Sequence, residues 1–386
     1  MAEGNSPLAA GPLETRTVSH LHPAGSFDLA DHPEPTGREE IWRFTPLDQL
    51  QPIWADPAAA AVAVTRTSDQ GCWAEPLSPG QGSRGSVLVP VDRAAALASA
   101  RAERADHLRL AAGRRYDQPI RLDLRVDSET GLAAHHLVIE AEAGSSATVL
   151  LRHGGQGRYL GNVEIVVGPS AQLTVVSIQD WRPGSSHLGQ HEAKVHPKAS
   201  YRHIAVSLGG DLIRLQNNVS YAGASGAAEL LGVYFCDAGQ HIEHRLFVDH
   251  NHPKGKSLAD YRGALQGRRA HAVWVGDVLI RSRAQGIETY ESNKNLVLSD
   301  GCRADSVPNL EIETGDIVGA GHSASTGRFD DEQLFYLRSR GLDPDEARRL
   351  VVRGFFAQLV ARIGVPDVEQ VLMDKIDREL ATGPAL

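Results

Sequence analysis

The sequence predicts a mainly β protein whose core is a solenoid, flanked by α-helical segments at both ends. Two observations lead there. From about Ile120 to Ile317 the chain is a succession of short, apolar-alternating runs, among them HLVIEAEA, ATVLLRH, NVEIVV, LTVVSIQ and AELLGVYF. Gly, Ser, Asn or Pro punctuates these runs, and no helical period interrupts them. Within this span the phrases GSSATV, GPSAQL, HPKASY and GASGAAEL share a layout of turn, small residue and strand. Their alanines are Ala147, Ala171, Ala199 and Ala227, in steps of 24, 28 and 28. Coils that bury one strand face against the next repeat their turns at such an interval. A β-sandwich also turns at intervals and stays the alternative, but it seldom repeats a phrase at this spacing.

The elements follow in order. Residues 1–36 are rich in Gly, Pro, Ser and His and read as a flexible arm. A helical domain is expected over 37–117. It opens with GREEIWRFTPL (Gly37–Leu47), a short amphipathic turn anchored by Trp42 and Phe44. Its main element is an Ala-rich helix from Asp92, as N-cap, to Arg115, with Leu97, Leu108 and Leu110 as apolar contacts. The β core occupies 118–318. A turn carrying His322 and a first C-terminal helix fill 319–342, and 343–386 forms a C-terminal helical domain. There Asp343 caps and Pro344 takes the first turn. Ala347, Leu350, Val351, Phe355, Leu359 and Ile363 form one stripe, widened by Val352, Phe356 and Val360. Gly364 and Pro366 end that helix, and DVEQVLMDKIDREL makes the last. So wide an apolar face either packs on the strands or docks another subunit.

Composition excludes several classes. Lys and Arg total 39 against 48 Asp and Glu, a formal charge of -9, with no basic block. That argues against nucleic acid as a partner. Cys72, Cys236 and Cys302 are far apart. They make neither a disulfide framework nor a C-x-x-C clip, and the chain cannot hold a four-thiolate cluster alone. The start of the chain lacks a basic, apolar signal pattern, and Ala58–Val64 is too short to span a membrane, so cytoplasmic residence is expected.

Several motifs fail on spacing. HEAKVH (His191–His196) has Val195 where a zinc-protease helix needs its second His. Gly255-Lys256-Ser257 ends like a P-loop, but His250 stands where the loop's first Gly is required. GGQGRYLG (Gly154–Gly161) is a turn between strands. HIEHRLFVDHNHP gathers His241, His244, His250 and His252 around Asp249. On a strand His241 and His244 face opposite ways, so solvated edge and turn histidines are expected there; metal binding by these residues is the rival reading. The bed of small residues around His322 (Gly319, Ala320, Gly321, Ser323 and Ala324) poses a sharper question, because it lets another surface approach an imidazole.

From Val248 onward the chain resembles the SufB/SufD scaffold family of the SUF iron–sulfur assembly system. The resemblance rests on DHNHPKGKSLADYRGAL (Asp249–Leu265), NKNLVLSD (Asn293–Asp300), PNLEI (Pro308–Ile312), Gly321-His322 and DDEQLFYLRSRGL (Asp330–Leu342). REEIWRFTPL resembles the N-terminal phrase of the SufD branch. The resemblance implies a right-handed parallel β-helix between helical ends, and a scaffold rather than an enzyme. It implies pairing with a SufB-like paralogue; whether a homodimer forms in isolation is left open by the sequence. A SufC-like ATPase would dock on the C-terminal helices, for which Leu350, Val351, Phe355, Phe356 and Leu359 are the candidates. His322 would face a cysteine of the SufB-like partner across a nascent iron–sulfur cluster shared by the two chains, none being held tightly by this chain alone. Ala320 departs from the family pattern, which often has Cys two positions before this His. Cys302 is a candidate to approach His322 from a neighbouring coil. The rivals to the scaffold are a carbohydrate-active enzyme on a β-solenoid and a solitary metal binder built on His241–His252.

Overall fold

The alternating runs build two parallel sheets back to back, wound as a solenoid of about 8 turns. The structure, a computed structural model, describes residues 24–55, 57–67, 71–329 and 331–382. The long strands Ile120–Ala141 and Ser146–Val167 each contribute to both sheets. The first sheet continues through Ser186–Val195, Leu212–Tyr221, His241–His250, His271–Ile280 and Arg303–Ile312. The second continues through Gln172–Trp181, Ser200–Ser207, Ala227–Cys236, Lys256–Leu265, Ile287–Val297 and Ile317–Arg328.

The repeated phrase has a structural cause. Ser170, Lys198, Ser225 and Lys254 hold φ of 57°, 60°, 65° and 59° at one corner of successive coils. Each N–H donates to a carbonyl of the next coil: Pro197, Ala224, Pro253 and Gln285 respectively. A left-handed residue turns the chain sharply enough to enter the next strand, and the ladder keeps the corners stacked.

Strand alternation sends one set of side chains into the lumen and the other outward. The lumen is mostly apolar, with Leu173, Val175, Leu215, Leu230, Ile242 and Tyr261 among its fillers. The outward set of the first sheet (Leu132, Leu160, Leu188, Leu212) packs against Trp42, Leu50, Ile53, Ala94 and Ala98 of the N-terminal segment. A buried charge network seals that layer. Asp92 caps its helix through Ala95 N and accepts from Arg214 at 2.6 Å. Arg214 stacks on Trp42 and donates to the Ile41 carbonyl. Glu243 accepts from Thr45 and Arg245. The outward set of the second sheet (Leu150, Val176, Ile204, Val206, Val233, Phe235) is covered by the helices Pro344–Ile363 and Pro366–Thr382.

Several expectations are corrected here. Of the arm, residues 1–23 lie outside the described residues, and most of Ala24–Thr36 is exposed, with His32 buried as its anchor. Ser26 N donates to the Pro90 carbonyl, and Arg93 to that of His32. The Ala-rich helix spans only Arg93–Arg101, not Asp92–Arg115. Ala105–Leu110 is a strand paired with Leu137–Ala141, because an available sheet edge outweighs the modest helix propensity of this stretch. The region 37–117 is therefore a mix of short helices and strands, not a helical domain. The strands do not stop at 318: the last one runs to Arg328.

Candidate functional site

His322 sits in that last strand, Ile317–Arg328, not in the turn expected over 319–342. The strand pairs in parallel with Ile287–Val297 and, among the described residues, its other edge is unpaired. His322 lies opposite Glu291, which aligns with Ala259 and Leu230 of earlier coils, a column of lumen positions. Ala320, His322 and Ala324 thus lie on the lumen side of the final coil, which no further coil covers among the described residues. Gly319, Gly321 and Ser323 alternate to the outer side. A Cβ at Gly321 would stand 3.2 Å from the ring of the half-exposed Tyr290, a tight approach, whereas Gly319 has open space. Ser323 Oγ donates to Ser292 Oγ at 3.2 Å. The His322 side chain is 44% exposed, and its Nδ1 lies 3.9 Å from Glu291 Oε1.

Behind His322 the lumen turns polar. Tyr234 donates to Asn295 at 2.6 Å, Asn293 donates to Tyr234 at 2.9 Å, and Ser306 donates to Asn293 at 2.6 Å. The NKNLVLSD phrase thus supplies the end of the lumen. Glu291 stands beside this network without a hydrogen bond to Oε1. Burial, and then the nearby Asp277 carboxylate, push its carboxyl up to about 8.

The other sequence candidates are dispersed. Cys302 does not approach His322: it sits at a corner, donates to the Gly267 carbonyl at 3.2 Å and packs on the core. Burial raises its pKa, so the thiol form persists. The histidines of HIEHRLFVDHNHP are not solvated on the strand. His241 turns outward to His271 and Glu243; His244 lies in the lumen between Tyr234 and Tyr261; His250 stacks on Tyr221. They share no centre. Among the described residues no group of three His, Cys, Asp or Glu is placed to hold a metal ion.

The docking candidates divide. Phe356 and Leu359 are buried against the second sheet, where they and Val352, Val360 and Ile363 close the core, so they offer no free surface. Phe355 packs at the edge of that layer, and Val351 is half-buried. Leu350 is exposed, and so are Phe335 and Tyr336 of the helix Asp331–Ser339, which the docking candidates did not include.

A family model described as the SufBD core domain of SUF-system FeS cluster assembly matches residues 124–355. The chain belongs to the SufBD family. An iron–sulfur cluster assembly SufBD family protein of Mycobacterium tuberculosis is 48% identical over 92% of this chain and 91% of its own length. A SufBD family protein of Mycobacterium leprae is 46% identical over 92% and 93%. The iron–sulfur cluster assembly protein SufD of Escherichia coli is 24% identical over 90% of each chain. For this SufBD protein the matched core takes in nearly the whole solenoid and the first part of the helix Pro344–Ile363. No helix among the described residues is long and apolar enough to cross a membrane.

Proposed function

We propose that this chain is a SufD-like, non-enzymatic scaffold subunit of the cytoplasm. It pairs with a SufB-like paralogue through the open end of its solenoid and offers His322 to iron at the seam. The observation that carries this reading is the placement of His322. It is a half-exposed imidazole on the lumen side of the final coil, flanked on that side by Ala320 and Ala324, in a strand whose outer edge is unpaired among the described residues. An unpaired strand edge accepts another strand, and a neutral imidazole ligates iron. With Ala320 in place of a thiol, the sulfur ligands fall to the partner and the cluster.

Phe335, Tyr336 and Leu350 would dock a SufC-like ATPase. The helix Pro344–Ile363 also touches the last coils, since Arg348 donates to the Leu298 carbonyl and Arg262 to that of Phe355. Nucleotide-driven motion of the helices would thereby reach the seam. The test is co-expression with the SufB-like paralogue and the ATPase. His322→Ala should leave the complex intact and lower its cluster content severalfold; unchanged content removes His322 from the chemistry. The carbohydrate-active rival lacks support in a family of cluster-assembly proteins, and among the described residues His241, His244 and His250 share no centre for a solitary metal binder.

A further inference from the structure

We infer that Glu291 is a positioning residue for His322: its buried carboxyl group accepts the imidazole Nδ1–H and leaves Nε2 as the free lone pair offered to iron. This rests on the reading of His322 as an iron ligand. The register places the two residues directly opposite each other on adjacent coils, both on the lumen side. Their approach, Nδ1 to Oε1 at 3.9 Å, closes to a hydrogen bond by a small rotation of an imidazole that is half in solvent.

The Glu291 side chain is only 2% exposed, and its Oε1 has no hydrogen-bond partner. Oε2 lies over Gly276, where a Cβ would stand 2.4 Å away, so a glycine makes room for this carboxyl group. The neighbouring polar groups are committed elsewhere: Asn293, Asn295, Ser306 and Tyr234 bond to one another. An unpaired buried acceptor is costly, and the imidazole is the donor within reach. A histidine that ligates metal through one nitrogen usually donates the other N–H to a carboxylate or carbonyl, which fixes ring and tautomer.

The test reads the tautomer directly. In the full-length chain labelled with 15N-histidine, the ring signals of His322, assigned by their loss in His322→Ala, should show the Nδ1–H form. Glu291→Leu, which removes the acceptor, should move His322 towards the Nε2–H form, while Glu291→Gln, which keeps an oxygen there, should hold the native tautomer. In the complex with the paralogue and ATPase, Glu291→Leu should lower cluster formation about tenfold, and Glu291→Gln should restore part of it. An Nε2–H tautomer in the native chain overturns the inference, and that spectrum decides even if Glu291→Leu fails to fold. A native tautomer persisting in a folded Glu291→Leu overturns it as well. If His322→Ala leaves cluster content unchanged while the tautomer follows Glu291, the iron-ligand reading falls and the positioning contact stands. If His322→Ala lowers cluster content but Glu291→Leu changes neither tautomer nor yield, only the role of Glu291 falls.

Discussion

Lowering the pH from 7.5 to 5.5 should weaken this fold by several kcal/mol, and the cause is the row of imidazoles inside the solenoid. Burial holds His153, His203 and His250 down to about 3 and His244 to about 4, against an ordinary value of 6.5. Below pH 6.5 the unfolded chain takes up protons that the folded lumen refuses. The stability from these residues is therefore complete above pH 6.5 and is lost as the pH falls towards their folded values. At pH 5.5 each costs about 1.4 kcal/mol, or about 6 kcal/mol for the four. His187 and His191, also held well below their ordinary value by burial, pull the same way. Glu291 opposes them. Its folded value of about 8 stands above the ordinary 4.5, so its ionised form is disfavoured in the fold and acidification relieves the cost. Between pH 7.5 and 5.5 that relief is about 2.5 kcal/mol. The histidines win by about 3 kcal/mol from the four alone, a large share of a typical total of about 5–15 kcal/mol. Urea unfolding followed by circular dichroism at pH 7.5, 6.5 and 5.5 measures it. The midpoint should change little between pH 7.5 and 6.5, where Glu291 nearly offsets the four histidines, then fall between 6.5 and 5.5, and it should fall over the whole range in Glu291→Gln, which lacks the opposing group. A midpoint that holds or rises over this range in the native chain refutes the reasoning.

Other perturbations test the packing. Gly263→Ala places a Cβ 1.8 Å from the Tyr234 ring, whose hydroxyl is tied to Asn293 and Asn295, and should cost about 1–3 kcal/mol in urea unfolding. Glu243→Ala leaves Arg214 and Arg245 without their shared buried partner and should cost about 3–5 kcal/mol, read as a drop in the melting temperature. Phe356→Ala should destabilise by about 3–5 kcal/mol because it opens the layer between helices and sheet. Phe335→Ser with Leu350→Ser, both on the exposed side, should leave the melting temperature within about 1 °C and abolish co-purification of the ATPase. Retention of the ATPase would move the docking surface elsewhere.

The sequence by itself determined the solenoid, because local rules specify it: alternation within each strand, and a left-handed corner at Gly144, Ser170, Lys198 and Ser225 that recurs as a readable phrase. It also determined the caps of the long C-terminal helix: Asp343 accepts from Asp345 N, and Gly364 closes the helix at φ 67°. His322 stood out by its small neighbours alone. What only the tertiary structure decided is which surface each pattern meets. Leu108 and Leu110 fit a helix stripe until an open edge beside Leu137–Ala141 drew them into a strand. One wide apolar stripe from Ala347 to Ile363 split into a buried half at Phe356 and Leu359 and an exposed residue at Leu350, because the second sheet covers one side of the helix. Glu291, 31 residues before His322, became its neighbour through the length of one coil. Pairing between coils is a long-range event, set by how many residues each turn consumes; the repeated phrase shows steps of 24 and 28 up to Ala227 but does not extend to the 31 that separate Glu291 from His322.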